Sequence, residues 1–302
     1  MRAHLFVATA LLVIAAASSP CKALQVTISS AKASFVQGEP IYVWVDYYND
    51  KDEAIGLPAG WLFGFEVLTV RTQDGTVIRR PGIQLKRPPL GGNQIQRIGP
   101  RGHYVFFADL LEQVNLTEPG SYSVQIATPN HSPELFLDRD HPAIPASQLI
   151  RGPIESNRWQ LTIAAGSGDA FDLIDRPLRE KTAGTFALCP NARTIVEKYS
   201  DSVYGPYAAL CQIDDLLYAE ERGPVSLKDR LATAQALLDG LRGRQTRFEY
   251  LDIALIRYAE RLVKLGQDDA ASLLLNEVRR NESNVIARIY IANLRGQKSE
   301  EK

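Results

Sequence analysis

The chain has 302 residues, 45% of them hydrophobic and 23% charged, with a formal net charge of -1. That balance excludes a disordered chain, and near-neutral charge excludes steering of the whole molecule to nucleic acid. The length exceeds what one core usually fills and predicts about two domains.

Residues 1–23 read as a signal peptide. Met1-Arg2 gives a small positive start, and Leu5 to Ala17 is uncharged and mostly apolar. Ser18-Ser19-Pro20 breaks that run, and Cys21-Lys22-Ala23 ends in a small residue suited to cleavage. The run falls short of the roughly 20 residues of a membrane span, although an uncleaved anchor is the competing reading. Bacterial lipoprotein signals place Gly or Ala before a lipidated Cys, whereas Pro20 precedes Cys21. No later segment is long and apolar enough to span a bilayer, so the mature chain is expected to lack a transmembrane span and to be secreted or periplasmic.

Residues 24–166 carry period-two alternation. Gln25 to Ile28 begins it, and a Gly38-Glu39-Pro40 turn leads into Ile41, Val43, Val45 and Tyr47 on one strand face. Tyr42, Trp44, Asp46 and Tyr48 take the other face. Leu62 to Val70 is the next strand, and Asp74-Gly75 predicts a hairpin into Thr76 to Ile78. Ile95 to Ile98, His103 to Ala108, Ser121 to Ile126 and Asn157 to Ile163 complete an expected antiparallel β-sandwich.

The Pro119-Gly120 turn before Tyr122, Val124 and Ile126, with the closing Trp159 to Ile163, resembles the end of an immunoglobulin-like or fibronectin-like module. Phe35, Gly38, Pro40 and Ile41-Val43-Val45 resemble the opening strands of bacterial immunoglobulin-like domains. The resemblance implies a fold and leaves function open.

Three features of this half point to binding. From Gly75 to Ala108 there is no Asp or Glu, yet Arg79, Arg80, Lys86, Arg87, Arg97 and Arg101 occur. That stretch is a candidate surface for a polyanion such as an acidic glycan, unless Asp50, Asp52, Glu53, Asp109 and Glu112 neutralise it. Tyr42, Trp44, Tyr48, Trp61, Phe63 and Phe65 would stack on sugar rings if exposed, but aromatics mostly bury their area, and Trp44 is expected in the core. The connection from Thr128 to Ser156 holds Leu135-Phe136-Leu137, which makes Phe136 a candidate anchor for a partner. Asp138, Asp140, His141 and His131 lie in the same connection without a recognised metal-ligand spacing.

Residues 167–298 change to a three-to-four-residue period. Helices are expected over Asp169 to Lys181, Asn191 to Tyr199, Val203 to Glu221, Leu227 to Leu241 behind a Ser226 cap, Gln245 to Leu265, Asp268 to Arg280 and Asn284 to Leu294. Pro177 marks a kink or boundary in the first. Leu251, Leu255, Tyr258 and Leu262 share a face, and Gly266 suits a left-handed helix end. Helices in pairs are the organisation of an α-solenoid. Leu255 to Ser283 resembles a tetratricopeptide repeat, with Ala259 and Ala271 at the small positions, Gly266 at the turn and Leu275 and Val278 as packing residues. The repeat's closing Pro is replaced by Ser283. Residues 299–302 are expected to form a disordered tail.

Cleavage after Ala23 leaves Cys189 and Cys211, which predicts a disulfide closing a loop on the order of 20 residues, with two buried thiols as the alternative. There is no H-E-x-x-H, G-x-S-x-G, phosphate-binding glycine loop or dinucleotide fingerprint. Asp214-Asp215 and Glu220-Glu221 read as solvated helix faces. Asn115, Asn130 and Asn281 begin glycosylation sequons. The expectation is a multidomain α and β chain of a secreted bacterial type: an antiparallel immunoglobulin-like β-sandwich followed by an all-α helical-hairpin domain resembling tetratricopeptide repeats. It is expected to be non-enzymatic, without cofactor or metal, and to act as an interaction or scaffold protein of the cell envelope through a protein or peptide partner. The helical half would offer its groove. Resemblance to immunoglobulin-like proteinase inhibitors implies an alternative through the 128–156 loop, and the 79–101 stretch implies glycan or polyanion binding. No nucleic-acid partner is expected.

Overall fold

The computed structural model of the chain describes residues 24–58, 68–78, 95–114, 116–128, 150, 154–179, 188–218, 225–244, 248–281, 284 and 287–291. The N-terminal half is β-rich and the C-terminal half is helical. The strands are β1 (Leu24–Ser29), β2 (Ser34–Val36), β3 (Tyr42–Asn49), β4 (Ile55–Pro58), β5 (Leu68–Thr72), β6 (Val77–Ile78), β7 (Ile95–Ile98), β8 (His103–Asp109), β9 (Gly120–Thr128), β10 (Ile154–Glu155) and β11 (Trp159–Ala164). A one-turn helix α1 (Leu110–Gln113) follows β8, capped by Asp109, whose carboxylate accepts from the Leu111 amide at 3.0 Å.

One sheet runs β1-β3-β8 and is antiparallel. A second runs β2-β11-β9-β5-β6, with β10 also on β9. Its strands are antiparallel except β2, which lies parallel to β11 with Ser34 opposite Thr162. Alternation sorts its side chains: Val70, Val124, Ile126, Leu161 and Ile163 are buried, while Arg71 and Gln160 are exposed. The β3–β8 ribbon continues past a bend into the β4–β7 pair. Buried Asn49 holds that bend, donating from Nδ2 to the carbonyls of Glu53 and Gly99 at 2.8 Å each. The outer edge of β1 is met by a side chain: Asn157 accepts from the Ile28 amide at 2.7 Å and donates to the Ile28 carbonyl at 3.0 Å.

The helices are α2 (Asp169–Arg179), α3 (Ala192–Lys198), α4 (Gly205–Tyr218), α5 (Leu227–Arg242), α6 (Leu251–Lys264) and α7 (Asp268–Arg280), and 287–291 is helical. Pro177 lies inside α2. Ser226 caps α5 as its sequence predicts, its hydroxyl accepting from the Asp229 amide at 3.2 Å. Gly266, with φ of 72°, turns α6 into α7. Each helix from α3 onward packs on the next, and α4 also packs on α6. Ala234, Ala259 and Ala271 are buried at these close approaches. A disulfide joins Cys189, in a 3₁₀ turn before α3, to Cys211 on α4, with the Cα atoms 5.5 Å apart.

Two helix starts differ from the sequence reading. α4 begins at Gly205, where a Cβ would stand 2.0 Å from the Ser200 carbonyl oxygen, so the chain must turn here before it can coil. α6 begins at Leu251 and not at Gln245, because Phe248 and Tyr250 are drawn out of the helical register into buried aromatic contacts.

Those contacts belong to a seam between the halves. Both faces of β3 are buried: Val43, Val45 and Tyr47 on one side, Tyr42 and Trp44 on the other. Tyr42 meets Tyr207 of α4 and Tyr250 before α6, at ring distances of 6.0 and 5.3 Å. Trp44 and Phe107 meet Tyr290 in the 287–291 helix, at 5.8 and 6.1 Å. Arg257 of α6 lies 5.0 Å from the Phe107 ring. The helices that touch the sheet here are thus α4, α6 and 287–291, alternate members of the series. The buried apolar residues form one continuous cluster through both halves, in place of the two separate interiors that the change of periodicity suggests. Among the described residues no helix is long and apolar enough to cross a membrane.

Candidate functional site

Charged groups sit inside the seam. The Gly38-Glu39-Pro40 turn enters the helical half, with Gly38 at φ 82° and its Cα so close that a Cβ would lie 2.7 Å from Ile174 Cδ1 and 2.9 Å from Leu178 Cδ1. Glu39 is 1% exposed. Its carboxylate accepts from the Val36 amide at 2.8 Å and from the Tyr207 hydroxyl at 2.7 Å, and pairs with Lys32. The Tyr204 hydroxyl donates to the Gln37 carbonyl at 2.8 Å. Burial, followed by the Glu39 charge, pushes the Tyr207 and Tyr204 hydroxyls far above the ordinary tyrosine range. Every lone pair so engaged satisfies a buried group, and the arrangement joins the halves instead of presenting a cleft.

A second ionic group borders it. Arg257 pairs with Asp214 of α4, and the Tyr290 hydroxyl donates to Glu260 at 2.9 Å. Asp214 is therefore not the solvated helix residue its sequence suggests. Burial raises its carboxyl above the ordinary range, and the Arg257 charge acts against that rise.

Several sequence candidates lie outside the described residues: Arg79, Arg80, Lys86, Arg87 and Phe136, together with residues 1–23, 129–149 and 299–302. Of the remaining basic stretch, Arg97 is exposed on β7, and Arg101 pairs with Asp50 and Asp52. Tyr42 and Trp44 are buried, which removes them from any exposed sugar-stacking set. His103 meets Asp46 at 2.9 Å and stacks on Tyr48. Asn281 gives its side-chain amide to buried Asp252 at 2.6 Å, so its sequon is committed to packing. Among the described residues no group of three His, Cys, Asp or Glu is placed to hold a metal.

A cleft of about 250 Å³ opens on the outward face of the second sheet. Arg71, Ser123 and Gln160 stand side by side on β5, β9 and β11. Arg158, just before β11, and Thr72, Gln73, Gly75 and Ser121 line it as well. Sequence reading missed this face because its residues are scattered over three segments. The signal was present in the outward positions of the alternation, which hold Arg, Ser and Gln where the inward ones hold Val, Leu and Ile.

Neither a family model nor a curated protein matches this chain.

Proposed function

We propose that this chain is an exported, non-enzymatic interaction or scaffold protein, with an immunoglobulin-like β half carried on a helical half resembling tetratricopeptide repeats. The parallel pairing of β2 with β11 supports the first description. The buried Ala259 and Ala271 on either side of the Gly266 turn support the second. The disulfide is in keeping with an oxidising compartment.

The observation that carries the reading is the seam. Tyr42, Trp44, Glu39, Tyr207, Tyr250 and Arg257 are side chains capable of binding or acid–base work, and they are engaged in fixing one half to the other, while Asp214 holds Arg257 in place from within the helical half. The helical-half side chains Tyr207, Tyr250 and Tyr290 are covered by the chain's own sheet. A protein partner is then met on the exposed side of the helical half, where Leu273 on α7 and Val225 ahead of α5 are exposed large apolar side chains at 72% and 52%. The test is site-specific photo-crosslinking of the exported full chain in the envelope fraction of its native host. Probes at Val225 and Leu273 are expected to capture a discrete protein, and a probe at Phe107 to give only links within the chain. Capture through Phe107 alone would overturn the assignment. So would an exported form that does not begin at Leu24.

A further inference from the structure

We infer that the outward face of the second sheet, around Arg71 and Arg158, binds an acidic polysaccharide: a hydroxyl-rich chain bearing carboxylate or sulfate groups. The site is separate from the exposed side of the helical half and stands or falls independently of a protein partner.

The argument begins with charge. Both arginines are exposed and both line the cleft, and no carboxylate is among the residues that line it. Arg71 donates to the Gly75 carbonyl at 3.4 Å, and no carboxylate among the described residues pairs with either guanidinium. Among the other arginines, exposed Arg101 pairs with Asp50 and Asp52, exposed Arg193 with Glu197, and half-buried Arg242 with Asp239 and Glu277. The carboxylates closest in sequence are Asp74, three residues after Arg71, and exposed Glu155, three residues before Arg158, and neither lines the cleft. Asp74 is turned into its own hairpin, where its carboxylate accepts from the Thr72 hydroxyl and from the Thr76 amide and hydroxyl. Those hydrogen bonds hold its carboxyl below the ordinary range. The two positive charges are thus left for a ligand.

The remaining chemistry selects a sugar chain over an acidic peptide. Between the arginines stand the Ser123 hydroxyl and the Gln160 amide, with Ser121 and Thr72 beside them. Neighbouring strands are about 4.8 Å apart, so the sheet presents a ladder of donors and acceptors at regular intervals. The aromatic of the lining, Tyr122, is 5% exposed, and its hydroxyl is given to the Glu118 carbonyl at 2.6 Å. The cleft therefore presents no exposed aromatic or large aliphatic side chain against which a buried peptide anchor would pack. It offers forked guanidinium donors for an oxyanion and hydrogen bonds for hydroxyls.

The test measures affinity of the full chain for polygalacturonate, for dextran sulfate, for neutral dextran and for poly-glutamate, at low and high salt. Saturable binding to polygalacturonate or dextran sulfate is expected, weakening with salt and absent for neutral dextran; which polymer binds tells carboxylate from sulfate. Arg71→Ala and Arg158→Ala are each expected to weaken it about tenfold, the scale of a charge-assisted hydrogen bond. Arg71→Lys keeps the charge and is expected to fall between. Both side chains are exposed, so the variants should unfold at the parent temperature. Failure to bind either acidic polymer overturns the inference, as does binding that survives the double Ala variant. Poly-glutamate binding as tight as the polysaccharide, and equally lost in the variants, overturns it in favour of an acidic peptide.

Discussion

The Tyr207 hydroxyl donates to Glu39 at 2.7 Å across 168 positions of sequence, from the middle of the helical half to a turn in the β half. The bond completes the shell of a carboxylate that is 1% exposed, beside the Lys32 ammonium and the Val36 amide. A buried charge is tolerated only when its acceptors are filled, so this contact makes the stability of one half depend on the other.

Tyr207→Phe is therefore expected to cost about 1–3 kcal/mol, the usual penalty for leaving a buried polar group short of a partner. Urea unfolding followed by helix circular dichroism and by tryptophan emission should shift together, with unchanged slope. Two separated transitions would show that the halves unfold independently.

Gly38→Ala tests the turn that enters the helices. A left-handed backbone at φ 82° is strained for alanine by about 1–2 kcal/mol. The new methyl would also press on Ile174 and Leu178. Pairing it with Ile174→Val relieves the Ile174 contact and leaves the Leu178 contact and the backbone strain. The double variant should regain only part of the lost stability.

The pH dependence follows from the tyrosines. Tyr47, Tyr204, Tyr207, Tyr250 and Tyr290 all have hydroxyls raised above their ordinary value of 10.0, with burial as the first cause. In the folded chain they resist ionisation, whereas in the unfolded chain they ionise near that value. Their contribution is complete below pH 10.0 and is lost as pH rises toward the folded values. Stability should fall steeply above about pH 10, and tyrosinate absorbance should appear together with unfolding. Gradual ionisation with the fold retained would contradict this.

The disulfide is checked by mass. Alkylation without reduction should leave Cys189 and Cys211 unmodified in the denatured chain. The Cys189→Ser/Cys211→Ser variant is expected to lose about 3 kcal/mol, the scale for a loop of this size. Its loss should be felt at Tyr204 and Tyr207, since both lie on or beside the start of α4, which the bridge anchors.

Much of the framework was legible in order of residues. The alternation of Ser121 to Ile126, the Asp74-Gly75 hairpin, the Ser226 cap and the Gly266 turn each act within a few positions, and each is found. The cysteine pairing also followed from counting. What alternation does not encode is the identity of the material covering a strand's second face. Tyr42 and Trp44 announce that they share a side of β3, yet nothing local says that Tyr250 and Tyr290 will lie against them. The late start of α6 and the burial of Asp214 have the same origin, because both answer to partners far away in the chain. The cleft at Arg71 escaped for a related reason: its charge is assembled by strand register, and strand register is long-range information.

The side-chain amide of Asn157 takes both polar groups of Ile28 on the rim of the first sheet. An uncovered rim would invite a neighbouring copy to add its own strand, and repeated addition leads to fibres. With donor and acceptor already occupied at Ile28, β1 is a poor template at that point. The neighbouring Val26–Ser156 bridge covers the same rim, so residues 156 and 157 together keep β1 from serving as an open template for self-polymerisation.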